Sequence, residues 1–319
     1  MLGQSDSTNA NAEMTAVLAS TPETAEEAQY EKPKTHRLGV GGWLAAFWLI
    51  FAVLVAIIVP LFAKTHPGIA LANKGFLSDL THPMGGDSNG NNLTIVLAEA
   101  MRNSFIVAIG AVSIGLVFGG GLGLIGGYFR GKLDGVLVAI FNILLAIPQF
   151  ILAVSLVAVL ANNRVAKDGT SLPVSFERRM VWLIVALGIV GIPILGRITR
   201  ANTLQWSQRD FVMAARAQGA SNFRILTREI LPNVMPAMFS IALLGIAVAI
   251  VAEGGLAILG SGVQGGWSLG RVIATGQQGM RNSPHVVFEP VVLIFLTVPS
   301  LNYLGDIVRA RFDVRESVL

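Results

Sequence analysis

The chain has 319 residues, 53% hydrophobic and only 13% charged, with a mean hydropathy of +0.65. Soluble domains carry roughly 25% charged residues, so an ordinary soluble globular domain is excluded. The absence of cysteine excludes disulfides, thiolate metal sites and cysteine nucleophiles, and the net charge of +4 does not argue for nucleic acid, because basic residues gather in the cytoplasmic loops of membrane proteins.

Residues 1–36 are small, polar and acidic with no apolar periodicity, which predicts a disordered cytoplasmic tail rather than a secretory signal. Six apolar runs follow, over 41–63, 103–127, 135–163, 180–196, 233–252 and 290–305. A spanning helix needs about 20 such residues; four runs reach that length and the fourth and sixth are extended by their flanks. The runs are continuous rather than alternating, so helices are expected and a barrel is not. The division is a tail over 1–36, a first span with an extracytoplasmic loop over 37–98, and a core region over 99–319 that contains a polar loop at 205–233. Pro148, Pro193 and Pro299 are predicted to kink their helices. Gly115, Gly119, Gly120, Gly121 and Gly123 predict close helix packing in the second span. Lys and Arg are more frequent on the segments 1–40, 128–134, 197–232 and 306–319, which predicts both termini in the cytoplasm, although Arg164, Lys167, Arg178 and Arg179 run against that bias.

The loop at 205–233 carries the most information. Helix formers over 211–218 end at Gly219, which tolerates positive φ, and Ser221 is a good N-cap for a second helix. Pro232 is expected to stop that helix, with Leu231 extended before it. Phe223, Leu226 and Ile230 are expected on one face, Arg224 and Arg228 on another. Helix, tight turn, helix admits three readings: a linker, a DNA-binding helix-turn-helix, or a docking element for a soluble partner. A position between two spans disfavours DNA. For docking, Ala214, Ala215, Gly219 and Ala220 permit close backbone approach, while Arg216, Arg224 and Arg228 supply polar contacts.

This loop resembles the cytoplasmic signature of bacterial ABC-importer permeases, Glu-Ala-Ala, three residues and Gly, then Leu-Pro. Ala214, Ala215, Gly219, Leu231 and Pro232 fall in register, and Met213 stands where the family has Glu. Further stretches resemble the second, C-type permease of the dipeptide/oligopeptide family: His82-Pro-Met-Gly-Gly-Asp87, Gly127-Tyr-Phe-Arg-Gly-Lys-Leu-Asp134, Ile143-Leu-Leu-Ala-Ile-Pro148, Leu259-Gly-Ser-Gly-Val-Gln264 and Asn302-Tyr-Leu-Gly-Asp306. Asn91 and Asn92 replace the family's Arg-Asp, Ala139 and Asn142 replace an Arg and an Asp, and the 163–179 loop is longer than usual.

The resemblance implies an all-α integral membrane protein with six transmembrane helices, the type I importer permease fold, and a cytoplasmic coupling helix. It implies that Met213, Ala214, Ala215, Arg216, Gly219, Ala220, Arg224, Leu231 and Pro232 couple to an ATPase. It implies a homologous second permease, two ATPase subunits or domains and an extracytoplasmic substrate-binding protein as partners. The chain has no Gly-x-x-x-x-Gly-Lys-Ser/Thr loop, so ATP and Mg belong on those partners, and no catalytic or metal constellation is expected here. Glu253, an acid at the end of a span, and Pro148 are candidates for the pathway or a gate, although an interfacial acid paired with a basic group or a helix end is the favoured reading of Glu253. Asp134 is expected to pair with Arg130 and Lys132, and Asp306 with Arg309 and Arg311. Di- and oligopeptide import leads. Nickel, haem or another small solute remains open within the family, and a stand-alone secondary transporter outside it.

Overall fold

The structure, a computed structural model, describes residues 39–63, 74–76, 82–87, 89–161, 164–165, 171–172 and 175–316. The expected tail and most of the loop after the first span lie outside the described residues. The elements are α1 (Val40–Phe62), α2 (Leu93–Ile114), a π-helical segment (Gly115–Gly120), α3 (Gly121–Phe129), α4 (Gly131–Ala146) and α5 (Gln149–Leu160). A two-residue ribbon pairs β1 (Arg164–Val165) with β2 (Ser171–Leu172) antiparallel. Then come α6 (Phe176–Trp206), α7 (Asp210–Ala217), α8 (Asn222–Arg224), a second π-helical segment (Ile225–Ile230), α9 (Leu231–Ile258), α10 (Leu269–Gly276) and α11 (His285–Glu316).

Five continuous helices among the described residues are long and apolar enough to cross a bilayer: Val40–Phe62, Leu93–Phe129, Phe176–Trp206, Asn222–Ile258 and His285–Arg311. The third pass in chain order is the pair α4–α5, bent by 88°. Pro148 causes the break. Ile147 before it is extended, at φ −81° and ψ 128°, as the proline ring demands of its predecessor. Pro193 leaves α6 unbroken and Pro299 leaves α11 unbroken. Burial explains the contrast between Pro148 and Pro193: α6 is buried at residues along most of its length, whereas α4 buries only Phe141. Packing on both sides of α6 outweighs one lost hydrogen bond; nothing comparable holds α4 and α5 in line.

The second pass lies against α6 through a four-residue glycine repeat. A Cβ on Gly119 would strike the Ile192 carbonyl, one on Gly123 the Gly196 carbonyl, and one on Gly127 would lie 2.8 Å from the Arg200 carbonyl. Gly115 meets Leu195 and the Gly191 backbone. Residues four apart share one helix face, so backbone meets backbone along the whole seam. Gly120 faces Met238 of α9, and Gly121 faces no atom of this chain within 4 Å.

The helix Leu93–Phe129 has 37 residues. At 1.5 Å per residue it is roughly 55 Å long, against about 30 Å of hydrocarbon. At one end of the bundle Tyr128, Trp206, Val212, Ile225, Leu226, Ile230 and Val234 form a separate small core at the ends of α3, α6 and α9. This end of the bundle is the loop end. Both ends of the described chain lie there too, with Gly41 against Tyr303 of α11.

Candidate functional site: a docking loop anchored to the bundle

The 207–222 loop is held from below at each step. The Arg209 guanidinium lies over the Trp206 ring at 5.3 Å, and Phe211 packs on the same ring at 6.1 Å. Val212 is fully buried. Arg216 lies over the Tyr128 ring at 5.2 Å, and the Tyr128 hydroxyl donates to Asn222 Oδ1 at 2.8 Å. Gly219, at φ +80°, closes α7: its N–H bonds the Arg216 carbonyl at 2.9 Å and the Ala220 N–H bonds that of Ala215 at 3.0 Å. That pair of bonds is the Schellman closure a C-terminal glycine permits. Ser221 Oγ then accepts from the Arg224 N–H at 3.4 Å, so helix, glycine turn and capped second helix form where the residue types predict them.

Two local expectations are corrected. Pro232 does not stop the second helix. Leu231 is α-helical, at φ −55° and ψ −45°, and the chain passes from α8 through the π-helical segment into α9 without a break. Pro232 sits in the first turn of α9, where its missing N–H costs little, and the wider π turn relieves the clash its ring would make with the preceding turn. The same widening shifts the helical phase. Ile225, Leu226 and Ile230 face the small core, while Phe223 leaves the face it was expected to share and is 76% exposed.

Of the residues expected to couple, Met213, Ala214, Arg216, Gly219 and Arg224 are exposed on the loop. Ala215 and Ala220 are half-buried against the small core, and Leu231 and Pro232 lie apart from α7 in the first turn of α9. A cavity of about 460 Å³ opens beside the loop between Tyr128, Arg130, Ser207, Met213, Arg216 and Asn222.

Asp134 makes its direct ion pair with neither Arg130 nor Lys132, although the charge of Arg130 acts on it. It accepts two hydrogen bonds from Arg200 of α6, from Nε and from Nη2, the latter at 2.6 Å. Arg130 is the one described non-glycine residue at positive φ, and it donates to Ser207 Oγ at 3.1 Å. Sequence reasoning missed Arg200 because the only signal was a cation near the end of a span.

Pro148 stands at the α4–α5 bend. Glu253 is wholly buried, at 0% exposure, in the joint between α2, α9 and α10. The Ser104 hydroxyl donates to its Oε2 at 3.1 Å and accepts from the Leu269 N–H at 3.1 Å; Ser268 also faces the carboxylate. Its Oε1 has no hydrogen-bond partner among the described residues. One residue earlier on α2, Asn103 donates to the Trp267 carbonyl at 2.7 Å. Ser104 was not legible as a partner, since a contact across 149 residues leaves no local pattern.

At the end opposite the loop, Asp87 accepts from the N–H groups of Asn89 (2.9 Å) and Asn91 (2.7 Å) and from the Asn91 amide (2.7 Å), while Asn92 caps α2 by accepting from the Thr94 N–H at 3.0 Å. The two asparagines thus hold the turn before α2. Beside it a cavity of about 420 Å³ is lined by Asp87, Trp267, Arg271, Thr275 and Ser283 among others.

The loop presents exposed residues at one end of packed helices that run on into the bundle. Residues 119–318 match the family described as binding-protein-dependent transport system inner membrane component. The chain is 31% identical to the dipeptide transport system permease protein DppC of Alkalihalophilus pseudofirmus, over 89% of this chain and 88% of that one. It is 30% identical to the glutathione transport system permease protein GsiD of Pectobacterium atrosepticum (84% and 81% covered) and 32% identical to that of Shigella dysenteriae (84% of each). Among solved structures, a chain of the MetNI methionine ABC transporter superposes with a TM-score of 0.54 at 22% identity, covering 69% of this chain and 97% of that one, which is a likeness of fold. The chain belongs to the family of binding-protein-dependent transport system inner membrane components.

Proposed function

We propose that this chain is the channel-forming permease subunit of an ATP-binding-cassette importer that carries di- or oligopeptides into the cytoplasm, with ATP and Mg bound and hydrolysed on partner subunits. The observation that carries this reading is the continuity of the loop with the bundle. α7 presents exposed Met213, Ala214 and Arg216, while Phe223 stands out from the helix that runs unbroken into the fifth pass. A partner gripping this surface moves a lever, not a flexible strand. The relatives' names, dipeptide and glutathione permeases, support short peptides over nickel or haem.

In this reading the loop end is cytoplasmic, which agrees with the excess of Lys and Arg there and puts both termini on that side of a bacterial plasma membrane. A homologous second permease completes the pathway, two ATPase subunits or domains seat under the loops, and a substrate-binding protein delivers solute at the opposite end. ATP binding closes the ATPases and draws the loops together. The bundle then follows only as far as the partners' contacts differ between its two states. The test uses Ala214→Tyr and Phe223→Asp in the assembled transporter, both at exposed positions. Membrane insertion stays normal, while co-purification of the ATPase and peptide uptake fall at least tenfold. Normal uptake by either well-expressed variant refutes the docking role.

A further inference from the structure

Two arginines from distant parts of the sequence meet at the end of the bundle opposite the loop. Arg179 starts the fourth pass, and Arg271 lies on α10, outside the spans. Arg179 donates through Nη1 to Gln264 Oε1, but its Nε is buried with no acceptor among the described residues. Arg271 donates through Nη1 to the Val263 carbonyl at 3.1 Å. Both guanidiniums bond to one turn, Arg179 to Gln264 and Arg271 to Val263, which brings like charges together, while the ion pair of Asp134 with Arg200 lies at the other end of the bundle. Burial also disfavours the charge of Arg271 itself. Partly desolvated guanidiniums held close to each other are costly unless an anion joins them.

Arg271 is also where two cavities meet. It lines the 420 Å³ cavity with Trp267 and Ser283, and a second of about 330 Å³ with Gln264 and Gln278. These are the dimensions of small-molecule sites, roughly 300–1,000 Å³. A recessed guanidinium between concave walls suits a small solute better than a side chain on the surface of a docking protein. The larger cavity mixes Leu93, Val96 and Val286 with Asn89, Thr275 and Ser283, a lining that takes both the backbone and the side chains of a short peptide.

We propose that Arg271, supported by Arg179, is a carboxylate-binding site that receives the terminal carboxylate of the transported solute as it enters the permease. Arg271 is the contact and Arg179 the positioning charge behind Gln264. A guanidinium engages a carboxylate through two parallel N–H donors, which a lysine ammonium cannot reproduce in geometry. The proposal rests on the peptide-importer reading and deepens it by naming the chemical group that is recognised.

The test uses the complete transporter in proteoliposomes with its binding protein saturated with a dipeptide. Arg271→Gln is expected to lower maximal uptake at least tenfold, and Arg271→Lys to recover part of the loss. Stimulation of ATP hydrolysis by the loaded binding protein should be unchanged in both, because the docking surface is intact. Full uptake by Arg271→Gln overturns the proposal. So does a parallel loss of ATPase stimulation, which would assign the arginine to the binding protein or to folding. The peptide reading fails separately, if the unaltered transporter moves no peptide but moves another solute. In that event the same comparison on that solute decides whether Arg271 reads its carboxylate.

Discussion

Arg200 grips both carboxylate oxygens of Asp134 across 66 residues of sequence, tying the turn after the second pass to the fourth. The bond sits where the glycine seam ends, next to Gly127 against the Arg200 carbonyl. Backbone contact and ion pair therefore reinforce one joint, close to the aromatic residues that hold the 207–222 loop.

Asp134→Ala should destabilise the protein by about 1.5–3 kcal/mol, the range for hydrogen bonds to charged groups, because it leaves the Arg200 guanidinium half-buried and unpaired. Thermal unfolding in detergent of Asp134→Ala, Arg200→Ala and the double variant measures the coupling. A double variant as unstable as the sum of the singles would show that the pair contributes nothing as a pair.

The glycine seam separates positions within a single run. Gly119→Ala and Gly123→Ala each drive a methyl into a backbone carbonyl of α6, whereas Gly121→Ala meets nothing within this chain. The first two should reduce the yield of folded protein and lower Tm by several degrees. Gly121→Ala should be neutral or slightly stabilising, since alanine is the better helix former by about 1 kcal/mol. Equal effects at all three positions would contradict the seam.

Glu253 distinguishes hydrogen bonding from volume. Glu253→Gln keeps an oxygen for the Ser104 hydroxyl and should retain most of the stability. Glu253→Leu strands Ser104 and Ser268 in a dry joint and should cost about 2 kcal/mol or more. Size-exclusion profiles and Tm in detergent check both; indistinguishable variants would show that the hydroxyls do not hold this joint.

At Gly219 the backbone sits at φ +80° with open space where a Cβ would go, so strain acts there without steric clash. Gly219→Ala should cost about 1–2 kcal/mol at the turn, and Gly219→Asn less, because asparagine enters this region more readily. Limited proteolysis between Ala217 and Asn222 should rise in that order. An alanine variant as resistant as the unaltered protein would mean that the turn has relaxed to another conformation.

Much of this was readable from local chemistry. Apolar runs of spanning length require helices because lipid offers no hydrogen-bond partner, so the helical membrane fold follows from composition and run length. The Gly219 turn and the Ser221 cap depend on φ preferences and one hydroxyl, which belong to single residues. The motif register of Ala214, Ala215, Gly219, Leu231 and Pro232 led to the family. Local rules failed where packing competes with them. Pro148 breaks its helix and Pro193 does not, because only α6 is buried along most of its length. Pro232 continues a helix because a π turn makes room for its ring, and that turn rotates Phe223 into the open. Residue type and spacing thus determined the spans and the shape of the loop. The Arg200 partner of Asp134, the Ser104 partner of Glu253 and the Gln264 partner of Arg179 were decided by tertiary structure alone, since they join segments distant in sequence and a long-range contact leaves no periodicity along the chain.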